Sequence, residues 1–276
     1  AMTANTRSGV VKPTRRGPFA SIYSGNARIV VTRGLLATRT SNWAIVASGF
    51  FEPVFYLLAM GVGLGSFIGD VEVAGQDVSY AAFIAPALLA VSAMNGAVYD
   101  STWNVFFKLR FAKLYQTMLT TRLGPLDVAL GEVTYALLRG VAYATGFLIV
   151  MQVMGLNRSW TAILALPAVV LIAFAFASVG MAITSYMKTF QQMDWINFVM
   201  LPMFLFSATF YPITVYPEAI QWLIRALPLW HAVELVRGLT LGLTDAMTWV
   251  HVCYFVVMIA IGLVFTTKRL RALFQD

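Results

Sequence analysis

Few residues in this 276-residue sequence are placed to do covalent chemistry. His231 and His251 stand apart in the chain, and no cluster with metal-ligand spacing surrounds either. The single cysteine, Cys253, permits no intramolecular disulfide and no thiolate metal site. No phosphate-cradling G-x-x-x-x-G-K-[ST] run and no Gly-x-Ser-x-Gly elbow is present. Asp100, Glu132 and Asp194 are too scattered to build an acid–base site, and ordinary solvation at span ends is expected for Asp100 and Glu132. The run Gly61-Val62-Gly63-Leu64-Gly65 is apolar and follows no strand, so it does not fit a dinucleotide site. Gly61, Gly65 and Gly69 instead repeat every four residues, a stripe that lets a neighbouring helix approach closely.

The sharper chemical signal is charge inside apolar runs. Glu52 and Arg139 each fall deep within a long apolar segment. Counted from the same membrane face, both sit about 15–18 Å deep at the helical rise. Charges at that depth are costly, and they pair or face a wet cavity. Glu52 and Arg139 are therefore expected to neutralise each other, or else to face a polar substrate route. Pro53, next to Glu52, places a kink in the same segment.

The elements that would hold these residues are membrane spans. Apolar residues make up 59% of the chain and charged residues 11%, too little charge to cover a soluble domain. Six segments approach the length of a transmembrane helix, at about 43–68, 80–103, 128–155, 160–187, 195–211 and 247–267. Residues 1–18 read as a flexible basic tail and 19–276 as one all-α membrane domain. Residues 2–41 are polar, basic and mixed, so no cleavable leader is expected. Fifteen lysines and arginines fall on one side of the spans and three on the other, which puts both termini in the cytoplasm. A net charge of +7 distributed at span ends does not point to nucleic acid.

Three segments between spans carry more information than a loop. Residues 19–40 place Phe19, Ile22, Tyr23, Ile29, Val30 and Leu36 near one face, with arginines among the polar positions; this predicts a helix in the headgroup plane. Residues 105–119 mix aromatics with Lys108, Arg110 and Lys113, predicting a short amphipathic cytoplasmic helix suited to lipid or a protein partner. Residues 211–242 are apolar but cut by Pro212, Pro217 and Pro228, predicting an external re-entrant pair of helices too short to cross.

The run Pro202–Pro212 resembles the fifth-span signature of type-2 ABC exporter permeases, and Leu227–Gly238 resembles the motif that follows it. Phe51-Glu52-Pro53, the Gly61–Gly65 run and Pro86–Ala90 look most like the branch of nodulation-factor (lipo-oligosaccharide) export permeases. The likeness runs from about residue 30 to the C-terminus, with two departures: Ala208 stands where the family often has glycine, and Arg122 where it often has proline.

The resemblance implies six spans, an N-terminal interfacial helix, a coupling helix between the second and third spans, and re-entrant helices before the sixth. It implies a half-transporter in a bacterial inner membrane, with a second permease, identical or paralogous, and two copies of a separate ABC ATPase subunit. The chain itself would bind no cofactor, ATP and magnesium belonging to the ATPase. Phe106, Phe107, Phe111 and Tyr115, ringed by Lys108, Arg110 and Lys113, are then the coupling candidates. His231, Glu234 and Arg237 are candidates for closing the outer end, and the cargo is expected to be an amphiphile: a lipid-linked saccharide, a glycolipid or a hydrophobic drug. A secondary transporter or channel without an ATPase is the alternative, but no inverted repeat of spans is evident.

Overall fold

The computed structural model describes residues 25–39, 51–110, 117–118 and 123–274. It is a helical bundle, with α1 (Ala27–Arg39) preceding α2 (Phe51–Ile68). A small hairpin of β1 (Asp70–Val73) and β2 (Gln76–Ser79) follows, then α3 (Tyr80–Tyr99) and α4 (Val105–Arg110). The remaining helices are α5 (Pro125–Val153), α6 (Ala165–Tyr186), α7 (Asp194–Phe206), α8 (Glu218–Ala226), α9 (Pro228–Leu241) and α10 (Ala246–Phe274).

Among the described residues, five helices are long and apolar enough to cross a membrane: Phe51–Ile68, Tyr80–Leu109, Leu126–Val153, Trp160–Tyr186 and Ala246–Ala272. The expected fifth span is different. Its helix α7 has 13 residues, about 20 Å of rise and short of a hydrocarbon core. A 3-10 turn, Phe190–Met193, leads into it, and the chain leaves helical geometry at Ser207, short of Pro212. The expected start of the first span, 43–50, lies outside the described residues, as do 19–24 of the predicted headgroup helix.

The region between the first two spans is a tight β-hairpin, which the sequence reading did not anticipate. Asp70 pairs with Ser79 and Val73 with Gln76, leaving Ala74 and Gly75 as the two-residue turn. Both turn residues have positive φ, 49° and 77°, the geometry that matches strand twist. Val78 is fully buried, so the hairpin seats on the bundle.

The second span and the predicted coupling helix form one continuous rod. α3 passes through a π-helical turn, Asp100–Asn104, directly into α4. No glycine or proline interrupts 97–110, and Thr102 Oγ1 donates to the Val98 carbonyl at 2.6 Å inside the wider coil. Asp100 is buried, with Oδ1 accepting from Asn104 Nδ2 at 2.7 Å; the expected solvation is corrected accordingly.

α3 is the central helix, its hydrophobic span 78% buried, while α2 is 17% buried at the periphery. A close, backbone-to-backbone helix seam joins α6 to α10. A Cβ on Gly262 would lie 2.6 Å from the Ser178 carbonyl carbon, and Thr266 Oγ1 donates to the Ser178 carbonyl at 3.5 Å. Gly262→Ala is expected to destabilise the protein by about 1–3 kcal/mol through overpacking. Thermal unfolding in detergent checks this against Gly96→Ala, where an added Cβ meets nothing within 4 Å.

Candidate functional site

The bundle has two chemically distinct ends and a cleft between them. At the basic end, α4 carries the predicted coupling residues. Phe106 is buried against Met187 and Met193, its ring 6.5 Å from that of Phe190, so it holds α4 to the segment after α6. Phe107 faces the other way and is 61% exposed. Lys108 is partly buried and ion-paired with Glu132 at 2.5 Å. Phe111, Lys113, Tyr115 and the Arg110 side chain lie outside the described residues.

Glu132 is not solvated as the sequence suggested. It is buried and also receives Arg33 Nη2 at 3.1 Å. α1, α4 and the start of α5 thus meet at one end. Arg269 of α10 lies over the Tyr186 ring at 4.9 Å, bringing the ends of α6 and α10 together as well.

The cleft is about 680 Å³ and is walled by α2, α3, α5 and α7. Glu52 lies on this wall with an exposed side chain, and it has no ion-pair partner among the described residues. The Arg139 side chain, its expected partner, lies outside them. Tyr56, Asn95, Trp103 and Asn197 share the wall, giving amide and phenol groups beside flat aromatic faces. Sequence reasoning missed these four; the signal was an amide inside each of two apolar runs. A cleft of this composition can hold a molecule with both polar and apolar parts.

Gly61 on the same span marks a close approach, since an added Cβ would lie 3.3 Å from the Ala81 backbone. Gly65 has ordinary room, with Tyr80 at 3.8 Å.

At the far end, α8 and α9 form the expected pair of short helices. Pro228 opens α9, where its missing N–H is harmless, and Gly242 closes it at φ 79°. Arg237 is 3% exposed and fully engaged. Its Nη1 donates to Glu234 Oε1 at 2.7 Å, Nη2 to the Ala208 carbonyl at 2.9 Å and Nε to the Phe83 carbonyl at 3.3 Å. The guanidinium also lies 4.0 Å from the Phe83 ring centroid. Ala208 takes φ 55°, a left-handed conformation that turns its carbonyl toward Arg237.

His231 and His251 do meet, although they stand apart in sequence. Their Nδ1 atoms are 2.7 Å apart, so one ring must offer a lone pair to the other ring's N–H. His231 stacks on Tyr254 at 4.1 Å. Burial and the neighbouring imidazole hold His231, on the non-spanning helix α9, down to about 4. Among the described residues no third ligand joins the pair to make a metal site.

Residues 26–241 match the family described as ABC-2 type transporter. The chain belongs to that family. It is similar to Nodulation protein J of Rhizobium leguminosarum bv. viciae, with 31% identity over 87% of this chain and 91% of the relative. Nodulation protein J of Rhizobium meliloti is 28% identical over 86% and 91%, and that of Sinorhizobium fredii is 30% identical over 82% and 86%. This ABC-2 permease is therefore a transporter subunit of the Nodulation protein J-like branch, and a multi-pass membrane protein, not a catalytic enzyme. The match to the ABC-2 family covers the cleft, α4 and the pair α8–α9.

The left-handed residue yields one prediction. Ala208→Gly removes the Cβ clash of that backbone and is expected to stabilise the protein by about 1 kcal/mol. Arg237→Met leaves the Ala208 carbonyl unpaired in a buried site and takes the partner from Glu234, and is expected to cost about 3 kcal/mol. Paired thermal or denaturant unfolding measurements distinguish the two directions.

The histidine pair yields another. An unfolded chain takes up histidine protons near the ordinary value of about 6.5. The folded hairpin resists protonation of His231 to about 4, so the unfolded state binds more protons between these values. Stability is therefore expected to be full above about pH 6.5, to fall between 6.5 and 4, and to flatten below. His231→Asn should flatten that slope in melting curves taken across the window.

Proposed function

We propose that this ABC-2 permease is half of an ATP-driven exporter that moves an amphiphile out of the cytoplasm or inner leaflet of a bacterial inner membrane. Two ABC ATPase subunits bind the basic end, which faces the cytoplasm with both termini. A second permease, identical or paralogous, faces the cleft. Support comes first from the continuous rod of α3 and α4. One part of that rod walls the cleft through Asn95 and Trp103, and the other ends in α4 with exposed Phe107. A push on α4 therefore moves a cleft wall without crossing a loop.

The scant burial of α2 supports a second permease beside the cleft, because α2 walls the cleft and exposes Phe55, Leu58 and Val62. The mixture of Glu52, amides and aromatic rings supports a cargo with a polar head and an apolar tail. A glycolipid or lipid-linked saccharide, of the kind expected for the nodulation-factor export branch, fits that mixture, as does a hydrophobic drug. The pair α8–α9, carrying His231, Glu234 and Arg237, closes the outer end in this reading.

Purification of the tagged chain from a native host is expected to bring an ABC ATPase subunit in equal amount. Phe107→Asp should reduce that recovery by about tenfold or more if the ring is buried on docking. Vesicles containing the pair should move a fluorescent short-chain glucosylceramide only when ATP is present. Flux without ATP or any ATPase would favour a secondary transporter.

A further inference from the structure

Two buried carboxylates organise the basic end, and the exporter reading uses neither. Asp127 Oδ1 accepts the Asn26 N–H at 2.9 Å and Oδ2 accepts the Gly124 N–H at 2.8 Å. One fully buried acid thereby caps the starts of both α1 and α5. From there the two helices run in the same direction. Val30 presses on Gly131, where an added Cβ would come within 2.4 Å, and Gly34 lies on the Tyr135 ring, at 2.7 Å by the same measure.

Glu132 sits within this seam. One of its oxygens accepts from Arg33 of α1 and the other from Lys108 of α4, while its own side chain is 5% exposed. Lys108 also lies 5.9 Å above the Tyr135 ring. A single carboxylate thus bonds to two helices that are far apart in sequence. Surface ion pairs contribute little, but a buried acid shared by two cations fixes geometry, since losing it leaves two like charges facing each other.

We propose that Glu132 is a positioning residue for transport, locking α1 to α4 so that a displacement of the coupling helix carries α1 with it. This rests on the exporter reading for its purpose, but the lock itself is a property of the chain alone. α1 exposes Ile29, Leu35 and Leu36, so its outer face suits lipid. The lock makes this lipid-facing helix part of the moving body.

The experiment has two arms. In the first, the full chain alone, with Cys253→Ser in every variant of both arms, is placed in lipid nanodiscs with spin labels at Leu36→Cys and Phe107→Cys. The label distance is expected to be narrowly distributed in the otherwise native chain and in Glu132→Asp. It should broaden about twofold in Glu132→Gln and in Arg33→Gln, which removes only one arm of the lock. An unchanged distribution in both Gln variants overturns the proposal. Should Glu132→Gln fail to fold, Arg33→Gln decides, because its side chain is 36% exposed.

In the second arm, the complex with its ATPase carries labels at Leu36→Cys and Ile183→Cys. Trapping with ATP and vanadate is expected to shift this distance, and the shift should fall about threefold or more in Arg33→Gln with hydrolysis kept within about twofold. An equal shift in the variant, or none in the native complex, overturns the proposal. If the native chain recruits no ATPase, the exporter reading fails, while the first arm still judges the lock.

Discussion

The guanidinium of Arg237 is the contact on which the end of the bundle opposite the basic one depends. It fills a site where three elements meet: the first turn of α3 at Phe83, the unwound end of α7 at Ala208, and α9 itself. A helix that stops inside a membrane leaves carbonyls with no water to meet, and each costs several kcal/mol if unpaired. Arg237 supplies the donor for one such carbonyl, at Ala208, and Tyr80 donates its hydroxyl to a second, at Phe210, while Arg237 Nε reaches the Phe83 carbonyl in the first turn of α3. The charge is tolerated because Glu234 and the Phe83 ring receive what the carbonyls do not. Without this arrangement α7 would have no way to end short of the far surface.

The basic end uses the opposite chemistry for a similar purpose. There the buried groups are acids, Asp127 and Glu132, and what they collect are helix starts and cations. Arginine inside the far end and carboxylates inside the basic end give each terminus of the bundle its own polar clamp. Between the clamps lies the cleft, whose walls are joined to each end by different helices. α3 reaches both, which is why it is the most buried span.

Much of this was legible in the sequence, because long apolar runs and the lysine and arginine asymmetry report spans directly. The short helices α8 and α9 were readable from three prolines that no crossing helix would carry. Ala208 stood out against the family pattern, and its φ of 55° supplies the reason a glycine suits that position. The continuity of α3 with α4 was not legible. A π turn absorbs an extra residue without any glycine or proline to announce it, so a chemical change from apolar to basic looked like a break. The burial of Glu132 was hidden for a different reason. Its partners, Arg33 and Lys108, are 99 and 24 residues away, and periodicity carries no information across such distances. The meeting of His231 and His251 escaped on the same ground. The β-hairpin between spans has only four residues in each strand, too few for alternation to announce it.

The first span has a π-helical stretch of eight residues, Leu57–Leu64, beginning one turn after Pro53. A residue added to a helical turn rotates everything beyond it by about 100° relative to an uninterrupted α-helix. The two halves of α2 therefore present faces that no single helical wheel can align. Below the stretch, Glu52 and Tyr56 look onto the cleft; within it, Gly61 looks onto Ala81. A rod of uniform pitch could not satisfy both neighbours at once. The irregular coil acts as a phase shifter, letting one span wall the cleft at one depth and act as a packing strut at another.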